Sequence, residues 1–377
     1  MMQSPGLILY IVGFALLLGP LVFFHELGHY LAARLFGIKS EVFSIGFGPE
    51  ITGWTDKRGT RWKLSWIPLG GYVRFAGDMN PASQPDPAWL ALPPAERART
   101  FQAKPLWQRA IVVLAGPVTN FLLALLILMG FALAYGDNRT PTTVAGVERG
   151  SAAAAAGLKT GDRITALGGR PVETFEDLAY YVQLRAGERV RIDFDRSGVA
   201  MASDAVIGKR HVKDKFGNEG DIGMLGVHAA RPVFVRIGVL EAPAVASREL
   251  WALVRQTGQG LGQLITGRRP IKDMSGVVGM VKFSGEQLSM GWPDFIWLVA
   301  IISINLGFIN LLPVPMLDGG HLLFYAIEAV RRRPVTPAIQ EWAFRGGLAA
   351  ILCLFLIVTF NDLGKVGLWQ HLAGLIG

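Results

Sequence analysis

His25, Glu26 and His29 occur in the run Phe23-Phe24-His25-Glu26-Leu27-Gly28-His29, an H-E-x-x-H pattern inside an apolar stretch. In a helix, at about 100° per residue, the two histidines fall some 40° apart on one face and about 6 Å apart along the axis. Two imidazoles so placed converge on one metal ion. Glu26 shares their sector, where its carboxylate can take a proton from water activated by the ion without binding the ion itself. Ionisable side chains in lipid-like composition are costly, at about 2.5–3.5 kcal/mol each on insertion scales, and are functional by default.

A catalytic zinc takes three protein ligands and keeps one position open. The run Asn310-Leu-Leu-Pro-Val-Pro-Met-Leu-Asp318-Gly-Gly-His321 offers Asp318 as the leading third donor, with His321 as a competitor. Pro313 and Pro315 interrupt an apolar segment just before Asp318, and unwound backbone at membrane depth survives only where protein or a water-filled cavity covers it. A divalent ion, two neutral imidazoles, Asp318 and Glu26 sum to zero formal charge, which favours a cluster around the ion over scattered charges.

These residues need elements to carry them. Half of the 377 residues are hydrophobic (51%), and mean hydropathy is +0.36. The apolar residues are bunched into four stretches, 6–36, 111–135, 295–325 and 344–360, each near the roughly 20 residues needed to cross a bilayer. The expected fold is a multi-pass α-helical membrane protein of about four transmembrane helices. The first stretch is expected to persist rather than be cleaved as a signal, because no Lys or Arg precedes it and it carries the histidines. The net charge of +8 reads as positive-inside bias, not as a nucleic-acid surface. Cys353, the only cysteine, excludes an intramolecular disulfide and a thiolate cluster, and is expected to be a small buried apolar residue. His211 and His228 have no partner at metal spacing and receive no role.

Basic residues crowd the segment 37–106 and the link at Arg331, Arg332 and Arg333, so both are expected on the cytoplasmic side. Both ends of the chain and the long region 136–294 then lie outside. Spans one and three run parallel, bringing His25, His29 and Asp318 to similar depth.

Within 37–106, Thr60 to Ile67 alternates partially and Pro68 to Gly71 reads as a turn, giving a membrane-associated β-hairpin or sheet. An exposed edge there can pair with an unwound substrate by strand addition. Residues 240–294 form an amphipathic or linking region, with a helix expected from 245 to 265.

The chain resembles the bacterial site-2 proteases of the RseP type, which perform regulated intramembrane proteolysis. The motifs that carry the likeness are the His25 run, Gly46-Phe-Gly-Pro49, Ile67-Pro-Leu-Gly-Gly-Tyr-Val73, Gly116-Pro-Val-Thr-Asn-Phe121, Met274-Ser-Gly-Val-Val-Gly279, and Asn310 through His321. The resemblance implies that His25, His29 and Asp318 bind one Zn²⁺ and that Glu26 is the catalytic base. It further implies that Asn305 and Asn310 hold the substrate backbone or its developing oxyanion, and that Gly70, Gly71 and Tyr72 lie on a substrate-binding strand. Residues 141–231 resemble one extracytoplasmic PDZ-like α+β domain, whose groove helix spans 175–184. Larger relatives carry two such domains.

The implied layout is a first span over 1–36, a β region over 37–106, a second span over 107–135, the PDZ-like unit over 141–231, a third span over 295–328 and a fourth over 343–365. The implied substrates are single-span membrane proteins in the inner membrane, such as anti-sigma factors or signal-peptide remnants, trimmed first by another protease; the lipid bilayer is the other partner. The rival reading is a zinc-binding PDZ scaffold without proteolysis. Glu26 weighs against it, because a structural zinc needs four ligands and no base.

Overall fold

The structure is a computed structural model that describes residues 6–78, 91–213, 219–267 and 276–365. Met274 and Ser275 of the sequence motif lie outside the described residues. Two compact units divide the chain. One comprises residues 1–128 and 275–362; the other comprises residues 129–274 with the last residues of the chain.

The first unit begins with α1 (Leu7–Leu35), 29 residues or about 43 Å at the helical rise. Next come β1 (Ser40–Thr55) and β2 (Arg61–Phe75), the short α2 (Pro94–Arg97) and α3 (Leu106–Tyr135). The two strands meet more than once. Val42–Ile45 align with Arg61–Leu64, residue numbers rising together, and also with Gly71–Arg74, where they run against each other. Residues 52–55 pair in turn with 61–64. Four rows result, in the order 52–55, 61–64, 42–45 and 71–74, which leaves the last row on an edge.

The expected turn at Pro68–Gly71 is therefore corrected: these residues lie inside β2, and the chain reverses at Asp56–Thr60 instead. There the Asp56 carboxylate accepts the backbone N–H groups of Arg58 (2.8 Å) and Thr60 (3.0 Å). An Asx turn of this kind reverses the chain without Pro.

The second unit holds β3 (Asp137–Asn138), β4 (Val144–Val147), α4 (Ala152–Ala155), β5 (Arg163–Leu167), β6 (Arg170–Pro171) and α5 (Phe175–Gln183). It continues with β7 (Arg189–Arg196), β8 (Val199–Val206), β9 (Gly208–Lys213), β10 (Glu219–Met224), β11 (Val227–Ala229), β12 (Phe234–Val235) and α6 (Ala242–Ile265). Its main sheet has the order β6-β5-β7-β8, and Ile164, Leu167, Leu178, Val182, Ile192 and Phe194 are buried in its core. Helix α5 starts at a full capping box, with the Thr174 hydroxyl and the Asp177 carboxylate each serving the other's backbone N–H. Such a box satisfies two donors that a helix start leaves free.

The chain then returns to the first unit with α7 (Val277–Met290), α8 (Trp292–Asn310), α9 (Asp318–Arg331) and α10 (Pro337–Lys365). Helix α7 was not foreseen as a separate element. It lies against α1, where a side chain at Gly13 would meet the Gly285 backbone at 2.9 Å and one at Gly285 would meet Tyr10 Cα at 2.7 Å. Its first turn is capped from a distance, as Asp362 of α10 accepts the N–H groups of Gly276 (2.8 Å) and Gly279 (3.0 Å).

Among the described residues, four helices are long and apolar enough to cross a membrane: Leu7–Leu35, Leu106–Tyr135, Trp292–Asn310 and Ala338–Gly364. The third expected stretch is not one helix. Pro313 and Pro315 remove backbone donors and disfavour helix in the residues before them, so α8 stops at Asn310 and α9 restarts at Asp318. Cys353 also departs from expectation, being exposed; α10 turns Leu352, Leu356 and Phe360 outward as well.

Two apolar cores bracket one level of α1. Below it Leu17 and Leu21 pack with Phe295 and Leu298, and above it Tyr30 and Ala33 pack with Phe43, Val73, Phe101 and Val112. His25, Glu26 and His29 lie between them.

Candidate metal centre

Helix α1 turns His25 and Glu26 inward, each only 8% exposed. Close approach of α3 depends on small residues. A Cβ at Gly28 would lie 2.4 Å from the Ala115 carbonyl oxygen, and one at Gly116 would lie 2.3 Å from His29 Nε2. Two glycines on facing helices thus make room for the imidazoles.

Asp318 arrives as the first residue of α9, where a helix N-terminus favours a negative charge. The preceding residues fold tightly: Met316 is held at φ 81°, a region that costs a non-glycine residue of order 1 kcal/mol or more. Side chains at Gly319 and Gly320 would strike the carbonyl oxygens of Leu312 (2.2 Å) and Val314 (2.4 Å), so the paired glycines let α9 fold back on this turn. The far end of α9 is tied to α3 by Arg109, which reaches Glu328 at 3.0 Å and lies over the Tyr325 ring at 5.0 Å.

The three expected ligands meet. His25 Nε2 lies 3.3 Å from Asp318 Oδ2, His29 Nε2 lies 3.5 Å from Asp318 Oδ1, and the two Nε2 atoms are 3.3 Å apart. Donor atoms about 2.0–2.1 Å from a zinc at tetrahedral angles stand about 3.3–3.4 Å from one another; the two Nε2 atoms match that spacing, and each has an Asp318 oxygen at a similar distance, one Oδ2 and the other Oδ1. Asp318 Oδ2 is buried without a hydrogen-bond partner, as a ligand atom awaiting an ion would be. Of the two competitors, Asp318 joins the histidines in the metal-competent group; His321 lines the same cleft without joining it.

Each imidazole is oriented from behind. His29 Nδ1 donates to the Val112 carbonyl at 2.8 Å, leaving Nε2 with its lone pair toward Asp318. His25 Nδ1 lies 3.0 Å from the amide of Asn120, a residue of α3 with no exposed surface. Ligation through His25 Nε2 places the proton on Nδ1 and requires Asn120 to accept it through Oδ1. That oxygen is otherwise buried and unpartnered, so turning the amide over satisfies both groups. Ser303 of α8 donates to the Asn120 carbonyl at 2.8 Å, linking α8 to the same support. Asn120 carries no expected role in the sequence, where a lone amide in the apolar run 111–135 is the one signal of it.

A cleft of about 370 Å³ adjoins the centre, lined by Glu26, Gly70, Gly71, Tyr72 and Asn310 among others. Asn305 lies on α8, half-buried and away from the cleft lining. The Val73 backbone faces the Glu26 carboxylate, so the outer edge of β2 is aimed at α1. Gly71, two residues away, shares that edge. Tyr72 stacks on Phe47 at 6.0 Å.

His25, His29 and Asp318 together could hold a metal ion, and the Glu26 carboxylate lines the same cleft, a set of groups suited to metal-assisted hydrolysis. Peptidase family M50 matches residues 13–354, and the chain belongs to that family; it is a zinc metalloprotease. It is 44% identical over 362 residues to "Putative zinc metalloprotease Atu1380" of Agrobacterium fabrum, covering 95% of this chain and 96% of that one. It is 38% identical over 395 residues to Metalloprotease MmpA of Caulobacter vibrioides, covering 98% and 99%. Among solved structures, PDZ domains of SdrC-like proteins are similar to part of the chain. The one from Listeria monocytogenes covers 24% of this chain and 87% of its own, with 22% identity and a TM-score of 0.19. The one from Listeria innocua covers 25% and 99%, with 20% identity and a TM-score of 0.20.

Proposed function

We propose that this metalloprotease cleaves the transmembrane segments of single-span membrane proteins, in regulated intramembrane proteolysis of substrates such as anti-sigma factors or signal-peptide remnants. The observation that carries the reading is the location of the ligands. His25 and His29 lie on Leu7–Leu35, and Asp318 follows Trp292–Asn310, both long and apolar enough to span a bilayer.

In this reading His25, His29 and Asp318 hold one Zn²⁺ per chain, which supplies Lewis acidity to a water and to the scissile carbonyl. Glu26 accepts the proton of the water and returns it to the leaving amine. The edge at Gly71 and Val73 takes an unwound substrate as an added strand, presenting its carbonyl toward the histidines; Gly70 and Tyr72 shape that strand. Asn310, in the same cleft, donates to the substrate backbone or its oxyanion, and Asn305 supports it from α8.

Positive-inside bias puts 37–106 and the arginines after α9 on the cytoplasmic side of an inner membrane. The PDZ-like unit then faces outward and either binds the trimmed end of a substrate or excludes proteins with large outer domains.

The test incubates purified protein with a panel of single-span helices, with and without a zinc chelator, beside Glu26→Gln. Cleavage that chelator abolishes, and that Glu26→Gln lacks while keeping zinc, is the expected result. Cleavage of soluble unfolded peptides alone would refute the intramembrane reading.

A further inference from the structure

At the end of α1 remote from the first core, two clefts share a wall. One, of about 580 Å³, is lined by Arg34, Lys39, Lys57, Arg58 and Arg99. All five are exposed, and among the described residues none is in an ion pair. The other, an open groove of about 650 Å³, runs along α1 past Phe23, Leu27 and Leu31, with Trp54 and Trp62 of the sheet also in its lining. Tyr30, Arg34, Lys57 and Arg58 line both.

The one carboxylate at the junction, Asp56, is engaged by the turn it forms and by Trp62 Nε1 at 3.0 Å. It leaves a strong positive excess at the head of an apolar channel. Phe23, Leu27 and Leu31 recur every four residues and form one stripe on a helix that can span a bilayer. From Phe23 to Arg34 the stripe rises about 16 Å, comparable to a lipid acyl chain. Leu31 is 46% exposed and Trp54 62%. Trp54 lies in offset parallel stacking with Trp62, ring centroids 5.9 Å apart, and tryptophan at such a level is characteristic of the membrane–water interface. Water alone would not favour this apolar wall, and a soluble anion would leave it bare.

We infer that the two clefts form one binding site for an anionic phospholipid, whose phosphate sits among Arg34, Lys57 and Arg58 and whose acyl chain lies along Phe23, Leu27 and Leu31 against Trp54. Basic residues at a membrane surface attract anionic headgroups, and here an apolar channel lies directly beneath them. The site is separate from the metal cleft, and its existence does not depend on which proteins are cleaved.

The full chain, purified in detergent, is titrated with phosphatidylglycerol bearing brominated acyl chains while quenching of tryptophan fluorescence is read. Saturable quenching at a concentration at least about tenfold below that for brominated phosphatidylcholine is expected. Trp54→Phe removes part of the saturable signal, and the combined Arg34→Gln, Lys57→Gln and Arg58→Gln substitutions bring the two lipids level. Glycerol phosphate at millimolar concentration does not displace the lipid. Equal quenching by both lipids in the unmodified protein overturns the proposal even if the triple variant fails to fold. So does a preference that survives the triple substitution, a signal unaffected at Trp54, or displacement by glycerol phosphate, which would mark a site for soluble anions.

Discussion

Gly116 of α3 faces His29 so closely that a methyl group on its Cα would lie 2.3 Å from the ring Nε2. Contact at that distance is forbidden, so the imidazole can point at Asp318 only because residue 116 has no side chain. Gly116→Ala is therefore expected to displace the ring by an ångström or so, which can cost about 10²-fold in rate. Zinc content and cleavage should fall together while helical circular dichroism is kept.

Asn120 is expected to fix the proton on His25 Nδ1. Partners behind a metal-binding imidazole are typically worth about 10–100-fold in metal affinity, so Asn120→Ala should weaken zinc by that range in a competition titration. Asn120→Asp, which offers an acceptor in the same place, should restore most of it. Equal weakening by both substitutions would show that the amide nitrogen, not its oxygen, faces the ring.

Gly71 occupies the seam between sheet and α1. An added Cβ would lie 2.6 Å from the Ser44 carbonyl oxygen and from Val22 Cγ1, and 3.1 Å from Glu26 Cγ. Gly71→Ala should push β2 away from Glu26 and lower kcat by about 10²-fold or more, in the range that general-base loss produces. Metal analysis should find zinc unchanged, which separates this effect from that of Gly116.

In the second unit Arg196 grips Asp162 with two hydrogen bonds of 2.7 Å. The guanidinium holds the Asp162 carboxyl below the usual carboxylate range. A carboxyl whose folded pKa is depressed contributes stability that is present above its unfolded value, near 3.9, and is lost as pH falls through the folded value. The thermal stability of this unit should thus fall as pH drops below about 4, and Asp162→Asn should flatten that dependence while lowering stability at neutral pH.

Much of the centre was legible because lipid-like composition makes polar residues conspicuous: His25, Glu26, His29 and Asp318 are rare types in apolar runs, and helical spacing alone puts the histidines on one face. Supports such as the Val112 carbonyl were not legible, since backbone acceptors leave no trace in residue type. The sheet was harder. Pro68 to Gly71 carries turn residues, yet pairing of Ile67 with Phe47 and of Gly71 with Ile45 on β1 overrides that local preference and keeps the chain extended. Cys353 misled for the converse reason, because in a span an apolar residue faces lipid as readily as core.

His25, His29 and Asp318, from two distant segments, are expected to share one ion. Zinc bound per chain, measured by mass spectrometry of the metal in purified protein and in Asp318→Ala, tests it most directly. About one zinc per chain in the unmodified protein, with loss of both metal and cleavage in Asp318→Ala, is the predicted result. An Asp318→Ala protein that keeps its full zinc and still cleaves would contradict it.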